Sequence, residues 1–307
     1  MQGTTMKLSQ LVIALLLLLP LPASAAVKVV ATLPSLAAIA REVGGADATV
    51  ESMLPPNIDP HFADAKPSLV VTLSRADLLV ENGLELEVGW LPALVQQSRN
   101  AKLAPGANGR FEASTVVRRL EVPRGAVDRA QGDVHPGGNP HFLYDPRAGA
   151  AIARALATRL ASIDPTHAAG YQSRAAAMAT ELESFGRAQT AAFAALPAPN
   201  RAVVTYHRSL IYLCDWLGLT SPISVEPRPG VAPNPAHVAK VLAQLKTLPK
   251  RVILQEEFYP TSTTNTLARL GSATLISIEG GTRFDKGKRY IDHLRAISAP
   301  ILAALSR

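Results

Sequence analysis

Two strand–helix–strand passages, one in each half of the chain, separated by an alanine-rich run of helix formers, limit the fold more than any other feature. The first passage opens with "VKVVATLPSLAAIAREVGG". Strand-favouring positions break at Pro34-Ser35, and a Leu36, Ile39, Val43 stripe then runs to a stop at Gly44-Gly45. "ATVESML" reads as a second short strand, and "SLVVTLSRADLLVENG" as a helix running into a buried strand. The second half repeats the scheme: "AVVTY" is a strand leading into a striped helix that ends at Gly218. "HVAKVLAQLKTLPKRVILQEEFYPTSTTNTLARLGSATLISIEGG" then gives helix, strand, helix, strand. Helical crossovers between strands call for parallel pairing.

The stretch from Asp164 to Asn200 lies between these passages. Asp164-Pro165 is a good helix start and "LPAPN" an end. A helix of about thirty residues would span roughly 45 Å, enough to run along both halves. The expected architecture is α/β: two similar lobes, each with a parallel β-sheet flanked by helices, joined by one long rigid α-helix. The expected boundaries are 26–163 for the N-terminal lobe, 164–196 for the linking helix and 197–307 for the C-terminal lobe.

Residues 1–25 read as a signal peptide, with Lys7, an apolar run from Leu11 to Leu19 and the small-x-small pattern Ala23-Ser24-Ala25. Export with cleavage near Ala25 and a periplasmic destination follow. Cys214 is the one cysteine, so no intramolecular disulfide forms and the core must stabilise the fold. The formal charge is +7 but its arginines are scattered, and aromatics make up 5% of the chain, so nucleic acid is not an expected partner.

Seven histidines carry the chemical signal. His61, His141 and His207 each follow an apolar segment, where loops leave the carboxyl ends of strands, and ligands of open α/β sheets collect there. Three imidazoles suit a borderline-soft cation such as zinc, with a carboxylate or water completing a tetrahedron. Glu279, after the strand "ATLISI", is the best placed carboxylate; Glu256 and Glu257 are second candidates or partners for a far ring nitrogen. His167, His237 and His293 read as partly exposed helix residues. His135 reads as a neighbour of the site and the hardest of the rest to dismiss.

Four segments, "NIDPHFADAKPSLVVTLSRADLLVENGLELE", "GNPHFLYDP", "VVTYHRSLIYLCDWLGL" and "VEPRPGVAPNPAHVAKVLAQLK", carry a resemblance in order over essentially the whole mature chain. Together they resemble the metal-binding solute-binding proteins of ABC-type zinc and manganese importers. The resemblance implies that His61, His141 and His207 are metal ligands. It puts Glu279 where the family commonly has aspartate, about a dozen residues ahead of the helix-opening Tyr290, with water as the alternative fourth donor. Manganese-type members tend to have glutamate at the position of His207, so Zn2+ is favoured over Mn2+ as the transported ion. The loop before His141 holds only His135, where zinc-type members often carry many histidines and acids. A membrane permease is the implied partner, and a monomer the natural state of such a carrier.

Two other readings stand beside that one: a manganese-specific carrier of the same family, and a secreted zinc hydrolase with a glutamate as base. A carrier is not an enzyme, and the chain lacks a compact zinc-protease motif. Glu226 and Arg228 in "VEPRPG" read as a turn and its salt bridge rather than a site. Trp90 and Trp216 read as packing residues.

Overall fold

The computed structural model describes residues 25–125, 127 and 132–307. The expected leader, up to residue 24, lies outside them. Strands β1 (Val27–Ala31), β2 (Ala48–Ser52), β3 (Leu78–Glu81) and β4 (Arg110–Glu112) form one parallel sheet in the order β2-β1-β3-β4. Helices α1 (Pro34–Gly44), α2 (Pro67–Ser74) and α3 (Leu91–Ser98) belong to this half. A second parallel sheet, in the order β5-β6-β7, is built from Val204–Thr205, Val252–Glu256 and Thr274–Ile278. Around it lie α6 (Ile211–Leu217), α7 (Pro235–Thr247) and α8 (Ser262–Gly271).

Two long helices fill the middle. The first, α4 (Pro146–Ile163), starts on a cap in which Asp145 accepts from the Arg147 N–H at 2.8 Å. The second, α5 (Ala168–Ala194), follows the 3-10 turn Pro165–His167 and packs along α4. Its Tyr171, Met178, Leu182 and Phe193 are buried. The last helix, α9 (Tyr290–Ser306), packs against α1, α4 and α5 as well as against β6 and β7. One apolar core therefore continues through both halves, while a smaller cluster around Val204, Val241, Leu245 and Leu267 covers the other face of the second sheet. The sequence patterns above do not mark strand β4 or helices α3 and α4, and "AVVTY" forms a strand over only two residues, Val204–Thr205.

Tyr290 links this scaffold to the loops above it. Its hydroxyl donates to the carbonyls of Leu143 and Asp145, at 2.8 and 3.1 Å, just past His141. The fully buried ring lies against Gly149 of α4, where a Cβ would stand 2.2 Å from Cε1. Gly149→Val is expected to destabilise the fold by about 2–3 kcal/mol through overpacking, read as a lowered denaturant midpoint. An unchanged midpoint would mean that the Tyr290 packing has no such consequence.

Candidate metal centre

Each of the three histidines His61, His141 and His207 is placed by a local device that the backbone dictates. His61 sits in the 3-10 turn Pro60–Phe62 beyond β2. Asp59 caps this turn, accepting from the His61 N–H at 3.0 Å and pairing with ring Nδ1 at 2.8 Å. Buried Trp90 donates from Nε1 to the Pro60 carbonyl at 2.9 Å, so a residue expected only to pack also fixes this turn.

His141 follows Pro140, whose carbonyl accepts from Asn82 Nδ2 at 2.9 Å. Asn82 stands at the end of β3, where the Asn82 and Gly83 N–H groups donate to the Glu87 carboxylate at 2.7 and 3.1 Å; the Thr32 hydroxyl donates to it at 2.7 Å. Burial raises the Glu87 pKa to about 7. This carboxylate gathers the ends of β1 and β3 beneath the His141 loop.

His207 leaves the end of β5 and is buried. Its Nδ1 lies 2.7 Å from Glu226 Oε2, which also accepts from the Gly230 N–H at 3.0 Å. Glu226 gets there because the segment 224–226 adds to the β5 edge: Thr205 bridges Ser224, and the Val225 and Glu226 N–H groups donate to the Thr205 and Tyr206 carbonyls. Glu226 lies in a turn, as expected, but it also stands against the histidine cluster, where no sequence pattern puts it. "VEPRPG" contains too few β-favouring positions to reveal such an edge.

The three rings meet. Their centroids are 5.1 Å apart for His61 and His141, 5.6 Å for His141 and His207, and 6.0 Å for His61 and His207. Imidazoles on one tetrahedral zinc, with nitrogens at ~2.0–2.1 Å, have centroids about 5 Å apart. His135 joins the group with its ring 5.4 Å from that of His61. Among the described residues no group of three or more histidine, cysteine or carboxylate side chains meets full metal-coordination geometry as it stands, so the rings are gathered but not closed.

Protonation follows the packing. Burial and three neighbouring imidazoles push His141 well below the usual histidine value, and burial with the charge of His61 takes His135 down to about 4. Burial also works against a charged His207, but the Glu226 hydrogen bond and charge outweigh it and lift the pKa. Asp59 would be raised by burial, yet the hydrogen bond and charge of His61 hold it below its ordinary value. Carboxylates on the far nitrogens of His61 and His207 make both rings better donors and fix their orientation.

Glu279 is placed differently from the imidazoles. Its Oε1 accepts from Arg283 Nε at 3.2 Å and its Oε2 lies 3.7 Å from Nδ1 of His293. None of its described contacts reaches His61, His141 or His207. His293, expected to be partly exposed, is buried because α9 inserts its first turns between the two halves. Glu257 pairs with Arg283 at 2.5 Å. Glu256 is fully buried, accepts a hydrogen bond from the Ser209 hydroxyl, and is raised by burial to about 7.

Residues 29–304 match the family model described as ZnuA, zinc-uptake complex component A, periplasmic. The manganese ABC transporter substrate-binding lipoprotein PsaA of Streptococcus pneumoniae is 27% identical over 222 residues, covering 71% of this chain and 68% of that protein. The iron ABC transporter substrate-binding lipoprotein MtsA of Streptococcus pyogenes serotype M1 is 23% identical over 232 residues, covering 75% and 71%. A putative metal-binding protein of Treponema pallidum is 28% identical over 194 residues, and the match spans 58% of its length. Among solved structures, the crystal structure of ZnuA superposes with a TM-score of 0.77 at 22% identity over 91% of this chain and 99% of that one. The Mn2+ complex of FpvC from Pseudomonas aeruginosa gives 0.75 at 24% identity over 92% and 98%. At these identities the superpositions establish the fold: two parallel sheets flanked by helices, with a long helix between them.

Proposed function

Because the chain belongs to the family of the periplasmic zinc-uptake complex component A, we propose that it is the solute-binding component of an ABC importer. It captures a divalent transition metal between its two halves and hands it to a membrane permease. In this reading it works in the periplasm as a monomer, after export on residues 1–25, and it is not an enzyme.

One observation carries the proposal: three imidazoles from three separate loops come within 5.1 to 6.0 Å of one another by ring centroid, and two are hydrogen-bonded on Nδ1 to carboxylates, Asp59 at 2.8 Å and Glu226 at 2.7 Å. His61, His141 and His207 are the ligands. Glu279 remains the family-type candidate for a fourth donor, with its Oε1 hydrogen-bonded by Arg283 in this arrangement.

Relatives named for manganese and iron leave the ion itself to the donor set. Nitrogen donors favour zinc, while manganese prefers oxygen-rich sites. In equilibrium competition on protein purified without added metal, zinc is expected to displace manganese at equal concentration, with one ion bound per chain by elemental analysis. Retention of manganese would instead favour the manganese-specific carrier. Turnover of an ester or peptide on zinc addition would favour the hydrolase. Against a hydrolase, Glu256 is fully buried and engaged by Ser209 rather than presented to a metal-bound water.

A further inference from the structure

Resting on that reading, we propose that His135 is the fourth metal ligand, so that the cation is held by four imidazoles.

The distance between ring nitrogens is the first support. His135 Nε2 lies 3.3 Å from His61 Nε2. Two nitrogens of a tetrahedral zinc shell, each ~2.0–2.1 Å from the metal, are about 3.3–3.4 Å apart.

Tautomers are the second. A carboxylate accepts, so Asp59 at 2.8 Å holds the ring proton of neutral His61 on Nδ1 and leaves a lone pair on Nε2. With its own ring proton on Nδ1, neutral His135 presents a lone pair to that of His61 at 3.3 Å, an arrangement that a shared cation turns from repulsive to binding.

The third support is how the loop is anchored. The Asp133 N–H donates to the Pro229 carbonyl at 2.9 Å, and Gly132, with φ +86°, has no room for a Cβ, which would stand 2.2 Å from that carbonyl oxygen. Pro229 belongs to the turn in which the Gly230 N–H donates to Glu226, the partner of His207. The His135 loop is therefore clipped to the turn that orients the third ligand. His135, Asn139, His141 and His207 line one cavity with Asp133 and Pro229.

The test is X-ray absorption of the zinc complex of the purified protein, with zinc affinity measured by competition for wild type, His135→Ala and Glu279→Ala. Expected are four imidazole nitrogens in wild type and three plus one oxygen in His135→Ala. Affinity should fall about ten- to a hundredfold or more in His135→Ala, since even partners outside the coordination shell carry that much. Glu279→Ala should keep its affinity. Three imidazoles in wild type with no change in His135→Ala would overturn the proposal while leaving the metal carrier intact. A wild type that binds no zinc would overturn the carrier reading itself.

Discussion

His207→Ala is expected to lower zinc affinity by about a hundredfold or more, because under the proposed ligation it removes a ligand and also strands the carboxylate that supports it. The side chain is 4% exposed, and no other group in the described contacts replaces its nitrogen. Glu226, 8% exposed, keeps the Gly230 N–H and loses the His207 ring. A buried acceptor that loses one of its partners costs roughly 1–3 kcal/mol, so the metal-free variant should also melt lower. The two effects separate experimentally: competition against a chelator reads the affinity, and denaturant unfolding without metal reads the stability. Full zinc affinity in the variant would remove His207 from the ligand set, whatever happened to the melt.

How far the sequence reveals this site depends on how local each determinant is. His61, His141 and His207 were legible because they follow strand-like segments, and in a parallel sheet the loops after the strands share one edge. The long helix was legible from composition, its alanine-rich run being bracketed by proline on both sides. Glu226 was not, because its placement depends on pairing between Ser224 and Thr205, and no periodicity in a six-residue stretch rich in proline and glycine reports a distant edge. Glu279 looked well placed because it ends a strand. Sequence could not show that Arg283, four residues further on, would hydrogen-bond one of its oxygens while His293 in the next helix stands 3.7 Å from the other. His135 reads as a neighbour for a related reason: the contacts that place it, its own with His61 and its loop's with the Pro229 turn, lie more than forty residues away along the chain.

Acidification should weaken zinc binding progressively as His207 takes up a proton, approaching about tenfold per pH unit once the pH lies well below its folded pKa, so more than roughly tenfold is lost between pH 7 and pH 5. Zinc requires the neutral ring, whereas Glu226 stabilises the charged one and lifts the His207 pKa above its ordinary value. The decline therefore starts at a higher pH than it would for an unpaired imidazole. His135, at about 4, stays neutral across this window, so it adds nothing to the slope until the pH is much lower. The stability of the metal-free protein should move the other way. A pKa raised on folding contributes stability that is fully present below the unfolded value near ~6.5 and is lost as pH rises through the folded value. Lowering the pH through that interval thus strengthens the His207–Glu226 pair in the metal-free fold and weakens the hold on the ion, which favours release where protons are abundant. Zinc titrations from pH 8 to pH 5, paired with metal-free melts over the same range, test both signs at once. An affinity flat across the range would contradict ligation by His207, and a metal-free melt whose pH slope is unchanged in His207→Ala would remove the Glu226 pair as its cause.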